Sequence, residues 1–180
     1  MDALRHAQEA LTKDDIVEET AKSLSIQLDG VAKLWMGQKG PCDRLSGILG
    51  FAAPKGEIAE KANERRETAA KVSALVLANA FIFQEQLAAT DGRITPLRKL
   101  QTEKDLVGAT AKHWKWIWEN INYVPIFQLG ERVLNELPVN ANSKLAVTAR
   151  LLRRSSRKGH LEKYSLEAGR SAIFVAAVSA

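Results

Sequence analysis

The sequence predicts an all-α protein, an irregular multi-helix bundle around a buried central helix over about residues 57–89. Three observations carry this expectation. Between Val72 and Phe83 nearly every position is apolar, whichever face of a helix it occupies, and a helix apolar all round needs cover on every side. Apolar residues elsewhere recur at three- and four-residue spacings, and no stretch of weight alternates as a half-buried strand does. A chain of 180 residues with 46% hydrophobic and 26% charged residues is long enough to bury a core without disulfides and lacks the composition of disorder.

In order along the chain, Asp2 to Leu11 reads as a short amphipathic helix. Thr12 then has the character of an N-cap, with Asp14 and Asp15 in the first turn behind it. Ile16, Ala21, Leu24, Leu28, Val31 and Trp35 carry a second helix to about Met36, with Gly30 weakening its end. Five glycines and two prolines from Gly37 to Gly56 predict a break in regular structure. Inside that break, Leu45, Ile48, Leu49 and Phe51 are expected to tuck against the core as a short turn.

The central helix follows, its first half (Glu57 to Thr68) polar and solvated, its second half buried. Thr90, Asp91 and Gly92 end it, with Gly92 expected in the left-handed position. Ile94 to Leu100, broken by Pro96, is a connecting loop anchored by Leu97 and Leu100. A helix from about Glu103 to Asn120 places Leu106, Trp114, Ile117 and Trp118 inward, with Ile121 beside them. Pro125 opens the next helix, in whose first turn its missing N–H costs nothing; Pro138 stops it after Leu137. A last helix runs from about Ala141 to Arg154. Residues 1–160 are thus read as one helical domain. Residues 161–180, with the apolar run Ala172 to Val178, form a C-terminal tail that docks as a short helix or stays free.

Chemistry-bearing patterns are sparse. His6, His113 and His160 are far apart and share no metal-ligand spacing with Cys42, so they are read as surface residues without a metal site. Cys42 has no neighbouring base and is read as a bland thiol. No phosphate-cradling glycine motif occurs, so no nucleotide cofactor is expected. Glu85 with Asp91, or Glu131 with Glu136, could be pictured as acid–base pairs, but solvated helix charges explain them equally well. No enzyme is predicted. A single cysteine, and an N-terminus without an apolar core segment, point to an intracellular, cytoplasmic protein. The central apolar stretch is closely flanked by charge and shorter than the about 20 apolar residues of a bilayer span, so no membrane partner is expected.

A net charge of +5 and a pI near 9.4 permit an anionic partner without requiring one. The basic end is the sharpest candidate. Arg150, Arg153, Arg154 and Arg157 lie at three- and four-residue spacings that give one helix face, with Lys158 beyond. Such a face suits DNA phosphate contacts; a solvated face, or cations complementing a helix C-terminus, is the plain alternative. Trp116 turns away from the face shared by Trp114 and Trp118. Beside Lys112 and Lys115 it could stack on a base or contact a partner, or lie partly buried under its own loops.

The run from Ala78 to Glu85, the Ile94-to-Leu97 segment and the stretch from Trp118 to Phe127 resemble a helical region of large bacterial N6-adenine DNA methyltransferases. There it lies upstream of the catalytic domain, in restriction–modification proteins. The likeness covers about Thr68 to Leu152 and rests mainly on packing residues. The family's S-adenosylmethionine-binding glycine motif and its Asp-Pro-Pro-Tyr-type catalytic motif are missing, so no catalytic or cofactor residue carries over. The resemblance implies a non-catalytic helical portion, truncated or separately encoded, that supports a methylase domain or subunit and contacts DNA. The alternative is a helical protein–protein interaction module that uses an apolar groove or the Ala172–Val178 tail.

Overall fold

The computed structural model describes residues 22, 24–36, 38–51, 53–138 and 141–157, with side chains in the last helix described as far as Arg153. These residues form an all-helical, irregular bundle. Its elements are α1 (24–36), α2 (Lys39–Ile48), α3 (Ala59–Thr90), the single turn α4 (Leu97–Leu100), α5 (Leu106–Asn120), α6 (Val124–Leu134) and α7 (Asn142–Arg157). The expected helix over Asp2–Leu11, the Thr12 cap, His6 and the 161–180 tail lie outside the described residues.

α3 is the hub, packing against α2, α4, α6 and α7. Alanines at positions 62, 69, 70, 74, 78 and 80 are buried along it, and small side chains let neighbouring helices approach closely. Leu77, Phe81 and Ile82 supply the bulk of its core contribution. Cover is not complete, however. Leu75 remains 51% exposed, while Val72, Val76 and Phe83 are only partly buried. Its first half is mostly exposed, as expected, but two of its arginines are held against the bundle. The Arg65 side chain is 13% exposed between Glu57 and Asp43, and Arg66 pairs with Asp43 at 2.8 Å. Hydrogen bonding from Arg66, ahead of the Coulomb effect, holds the Asp43 carboxyl below its usual range.

The break expected over 37–56 holds a ten-residue helix instead. Gly40 and Pro41 occupy the first turn of α2, where a proline removes no needed hydrogen bond. Cys42, Leu45 and Ser46 bury one face. Gly50 (φ +78°) stops the helix: its N–H bonds to the Gly47 carbonyl and that of Phe51 to the Ser46 carbonyl at 2.8 Å, the two bonds of a Schellman cap. A similar expectation at the end of α3 fails. Asp91 is extended there (φ −120°, ψ 107°) and Gly92 does not take a positive φ. Arg93 grips the Asp91 carboxylate at 2.7 Å and holds its pKa down to about 2.

Trp35, fully buried, donates its indole N–H to the Glu136 carbonyl at 2.8 Å and so ties α1 to the chain leaving α6. Arg44 of α2 reinforces this through the Glu136 carboxylate at 2.8 Å. Asp105 caps α5 by accepting from the Gly108 N–H at 3.0 Å.

The α5–α6 turn is strained, because Asn122 (φ 102°) and Tyr123 (φ 65°) are consecutive left-handed residues. Tyr123 is held by an edge-on contact with Phe83, ring centroids 5.1 Å apart. Glycine relieves this strain and gives up only the exposed bond that the Asn122 Oδ1 accepts from the Tyr123 N–H at 3.0 Å. Asn122→Gly is therefore expected to stabilise the fold by up to about 1 kcal/mol, read as a higher urea midpoint with an unchanged slope; a lowered midpoint would refute the strain.

Candidate nucleic-acid interface

α7 sorts its residues by face. Leu145, Thr148, Ala149 and Leu152 are buried, and Arg150 projects from the opposite, exposed side. The helix continues through the whole arginine run, three residues further than its spacing suggested. At 100° per residue, Arg150 lies on the outward face and Arg153 at its edge beside the core; the backbone of α7 also carries Arg154 and Arg157. The side chains of Arg154 and Arg157, and all of Lys158, lie outside the described residues. The start of α7 is pinned, because the Asn142 side-chain carbonyl accepts the Val107 N–H of α5 at 2.9 Å.

Arg153 differs from its neighbours. It is half-buried, and its Nε atom is sealed from solvent without a hydrogen-bond partner. Neither Arg150 nor Arg153 has an acidic partner among the described residues. This distinguishes them from Arg44, Arg65, Arg66 and Arg93, all of which are paired. A cation fixed by packing rather than by a carboxylate keeps its charge available to an external anion.

Trp116 is 37% exposed and lies flat against His113, ring centroids 6.0 Å apart and planes 6° apart. Lys115 reaches toward Glu119 at 3.9 Å. One face of the indole is thus already occupied within the domain, while the residue keeps an exposed portion.

His113 itself is not a plain surface residue. It is half-buried, and its Nε2 accepts the Thr95 backbone N–H at 2.9 Å. Burial pushes its pKa below the ordinary 6.5. Only the neutral ring accepts that bond, so the unfolded chain binds the proton more readily than the folded one. The stabilisation is fully present above about 6.5 and falls as pH drops from there toward the lowered folded pKa. We expect unfolding free energy to decline across that window, and His113→Gln to flatten the decline; an unchanged pH dependence in the variant would contradict this role.

The acids that resembled catalytic pairs have structural partners. Glu85 accepts the Leu97 N–H at 2.9 Å, and Glu131 accepts the Trp118 indole N–H at 2.9 Å. Asp91 holds Arg93, and Glu136 holds Arg44. Cys42 donates its thiol to the Trp35 carbonyl at 3.1 Å, and burial, followed by the Asp43 charge, pushes its pKa up, the opposite of an activated nucleophile. Among the described residues no group of three or more His, Cys, Asp or Glu side chains is placed to hold a metal ion.

Sequence reasoning passed over Gln84 and the basic pair on α4. Gln84 is fully buried; its amide donates to the Thr95 carbonyl at 2.6 Å and its oxygen accepts the Trp114 indole N–H at 2.7 Å. Arg98 and Lys99 are exposed, while Leu97 and Leu100 on the same turn are buried. Their adjacency in an apparent loop was the only signal available.

No family model matches the chain, and neither a curated protein nor a solved structure matches it. α3 is long enough, and over an 18-residue window apolar enough, to cross a bilayer by length and composition, contrary to the sequence expectation. The core helix of a globular bundle satisfies the same test, and α3 is enclosed by four other helices on much of its surface.

Proposed function

We propose that the chain is the non-catalytic helical portion of a bacterial adenine-methylase or restriction–modification system, contacting the DNA backbone through the outer face of α7. The observation that carries the DNA contact is Arg150 on the exposed side of α7 opposite its buried face, with Arg153 at the edge of that side, both free of acidic partners among the described residues. Phosphates are the natural counter-groups for such a pair, because guanidinium binds them bidentately and the contacts need no base reading. The methylase assignment rests on the sequence resemblance. In this reading the chain performs no methyl transfer itself and holds no cofactor. It works in the cytoplasm, away from membranes, beside a methylase catalytic domain or subunit.

Binding of a short labelled duplex, followed by fluorescence anisotropy over a salt series, tests the DNA contact. The logarithm of affinity should fall linearly with the logarithm of salt, and Arg150→Gln should make the slope shallower by about 0.9, one phosphate contact. Affinity indifferent to salt and to the substitution would eliminate α7 as the contact.

A further inference from the structure

We propose that the open face of α3 pairs with the same face of a second copy of this chain, antiparallel, about a two-fold axis through Asn79. The inference goes beyond the DNA reading and does not depend on it. Val72, Leu75, Val76, Asn79 and Phe83 fall within roughly 100° of arc on α3, and each is exposed or half-buried. Tyr123 extends this stripe, because it is exposed and meets the Phe83 ring edge-on. No charged residue interrupts the sequence from Val72 to Gln84, yet only 44% of the most apolar 18-residue window of α3 is buried inside the bundle. An apolar face left open on the central helix of a domain marks an interaction surface.

The occupant is read from the middle of the stripe and from its ends. Asn79 is the polar member of the stripe, and its side chain makes no hydrogen bond among the described residues. A carboxamide both donates and accepts, so two copies meeting on a two-fold axis satisfy each other. A single Asn within an apolar helix seam fixes register in this way. Leu75 and Phe83 lie four residues to either side of Asn79, so the same axis seats Leu75 against the partner's Phe83. Charge follows the same symmetry. Glu67 and Asp91 lie twelve residues to either side of Asn79; Glu67 pairs with Lys71 at 2.7 Å, and Asp91 with Arg93 at 2.7 Å. Antiparallel pairing turns Lys71 toward the partner's Asp91, and Glu67 toward the partner's Arg93. Parallel pairing would instead align like charges and both helix macrodipoles.

The test is sedimentation velocity of the full chain over a concentration series, joined to cysteine cross-linking. Wild type is expected to sediment as a dimer that dissociates on dilution. Leu75→Asp should weaken self-association at least about 30-fold, as loss of a central anchor does, while circular dichroism shows an unchanged helix content. Val147→Asp, at an exposed apolar position on α7, should match wild type. Under mild oxidation Asn79→Cys should give a disulfide-linked dimer. Val72→Cys should not, since antiparallel pairing sets that residue about 21 Å along the axis from its own copy. The buried Cys42 stays in place, and wild type supplies its background. Cross-linking of Val72→Cys as readily as Asn79→Cys would overturn the antiparallel register. A dimer undisturbed by Leu75→Asp would overturn the stripe as the interface. A wild-type chain that stays monomeric at its highest soluble concentration would overturn the pairing altogether, whether another part of the chain, a bilayer or a different protein covers the face.

Discussion

Trp114→Ala is expected to destabilise the protein by about 3–5 kcal/mol, the usual cost of removing a buried aromatic ring from a core. Trp114 is fully buried, 5.0 Å from the Phe81 ring and 6.1 Å from that of Phe127. It joins α5 to both α3 and α6, so the cavity left behind borders three helices. Its loss also leaves the Gln84 side-chain oxygen without its donor, in a site with no exposure to water. Natural domains are stable by only about 5–15 kcal/mol, so the variant is expected to lose much of its margin. Urea unfolding provides the measure. Trp114→Phe separates the two contributions, since it keeps most of the ring contact and removes the N–H; it should cost about 1–3 kcal/mol through the orphaned oxygen. A loss below about 1 kcal/mol in Trp114→Ala would refute the central role assigned to this ring.

Gly130→Val is expected to be nearly as damaging, for the opposite reason. Gly130 is buried in α6, and a Cβ there would meet the Trp114 Cζ3 atom at 2.9 Å and the Ala80 Cβ at 3.1 Å. The Trp114 ring is itself confined by Phe81 and Phe127, so it has little room to retreat. Overpacking of this kind costs about 1–3 kcal/mol, and the branched side chain reaches further than a single methyl. Gly130→Ala provides a graded comparison, because the gain in helix propensity of about 1 kcal/mol partly offsets the steric cost. The expected order of urea midpoints is wild type, then Ala, then Val. Equal midpoints for wild type and Val would show that α6 can shift away without cost.

These substitutions fall in the region whose helices periodicity placed most closely. The spacing of Leu106, Trp114, Ile117 and Trp118 predicts a helix ending at Asn120, and Pro125 marks the first turn of α6; both hold, although α6 stops at Leu134, three residues before the Leu137 end that Pro138 suggests. Trp35 and Trp114, which that periodicity turns inward, are fully buried, as their size and apolarity demand. α2 was misread for an identifiable reason. Glycine and proline read as breakers wherever they occur, yet here Gly40 and Pro41 occupy the first turn and Gly50 lies just beyond the end. Position within a helix, rather than presence, decides what such residues cost.

The polar residues were less legible. Gln84, Glu85 and His113 looked like solvent-facing or idle positions along their own helices. Each instead fixes the segment from Thr95 to Leu97, through partners 11 to 18 residues away. No local pattern encodes such a partner. The same clamps hold the turn that presents Arg98 and Lys99.

The sequence by itself determined the helical class, the central position of α3, the helices α1, α5, α6 and α7, and the three- and four-residue spacing of Arg150, Arg153, Arg154 and Arg157. Each depends on spacing within a single element, and the helical period is the same wherever that element packs. Tertiary structure alone decided that Leu75 stays half-exposed on the hub helix, that Gly130 makes room for Trp114, and that α4 lies against α7. It also decided that Arg44, Arg65, Arg66 and Arg93 are paired while Arg150 and Arg153 have no acidic partner among the described residues. Those outcomes depend on which faces meet after the chain has folded back on itself. A close approach or an ion pair is a property of two elements together, and neither element's periodicity contains it.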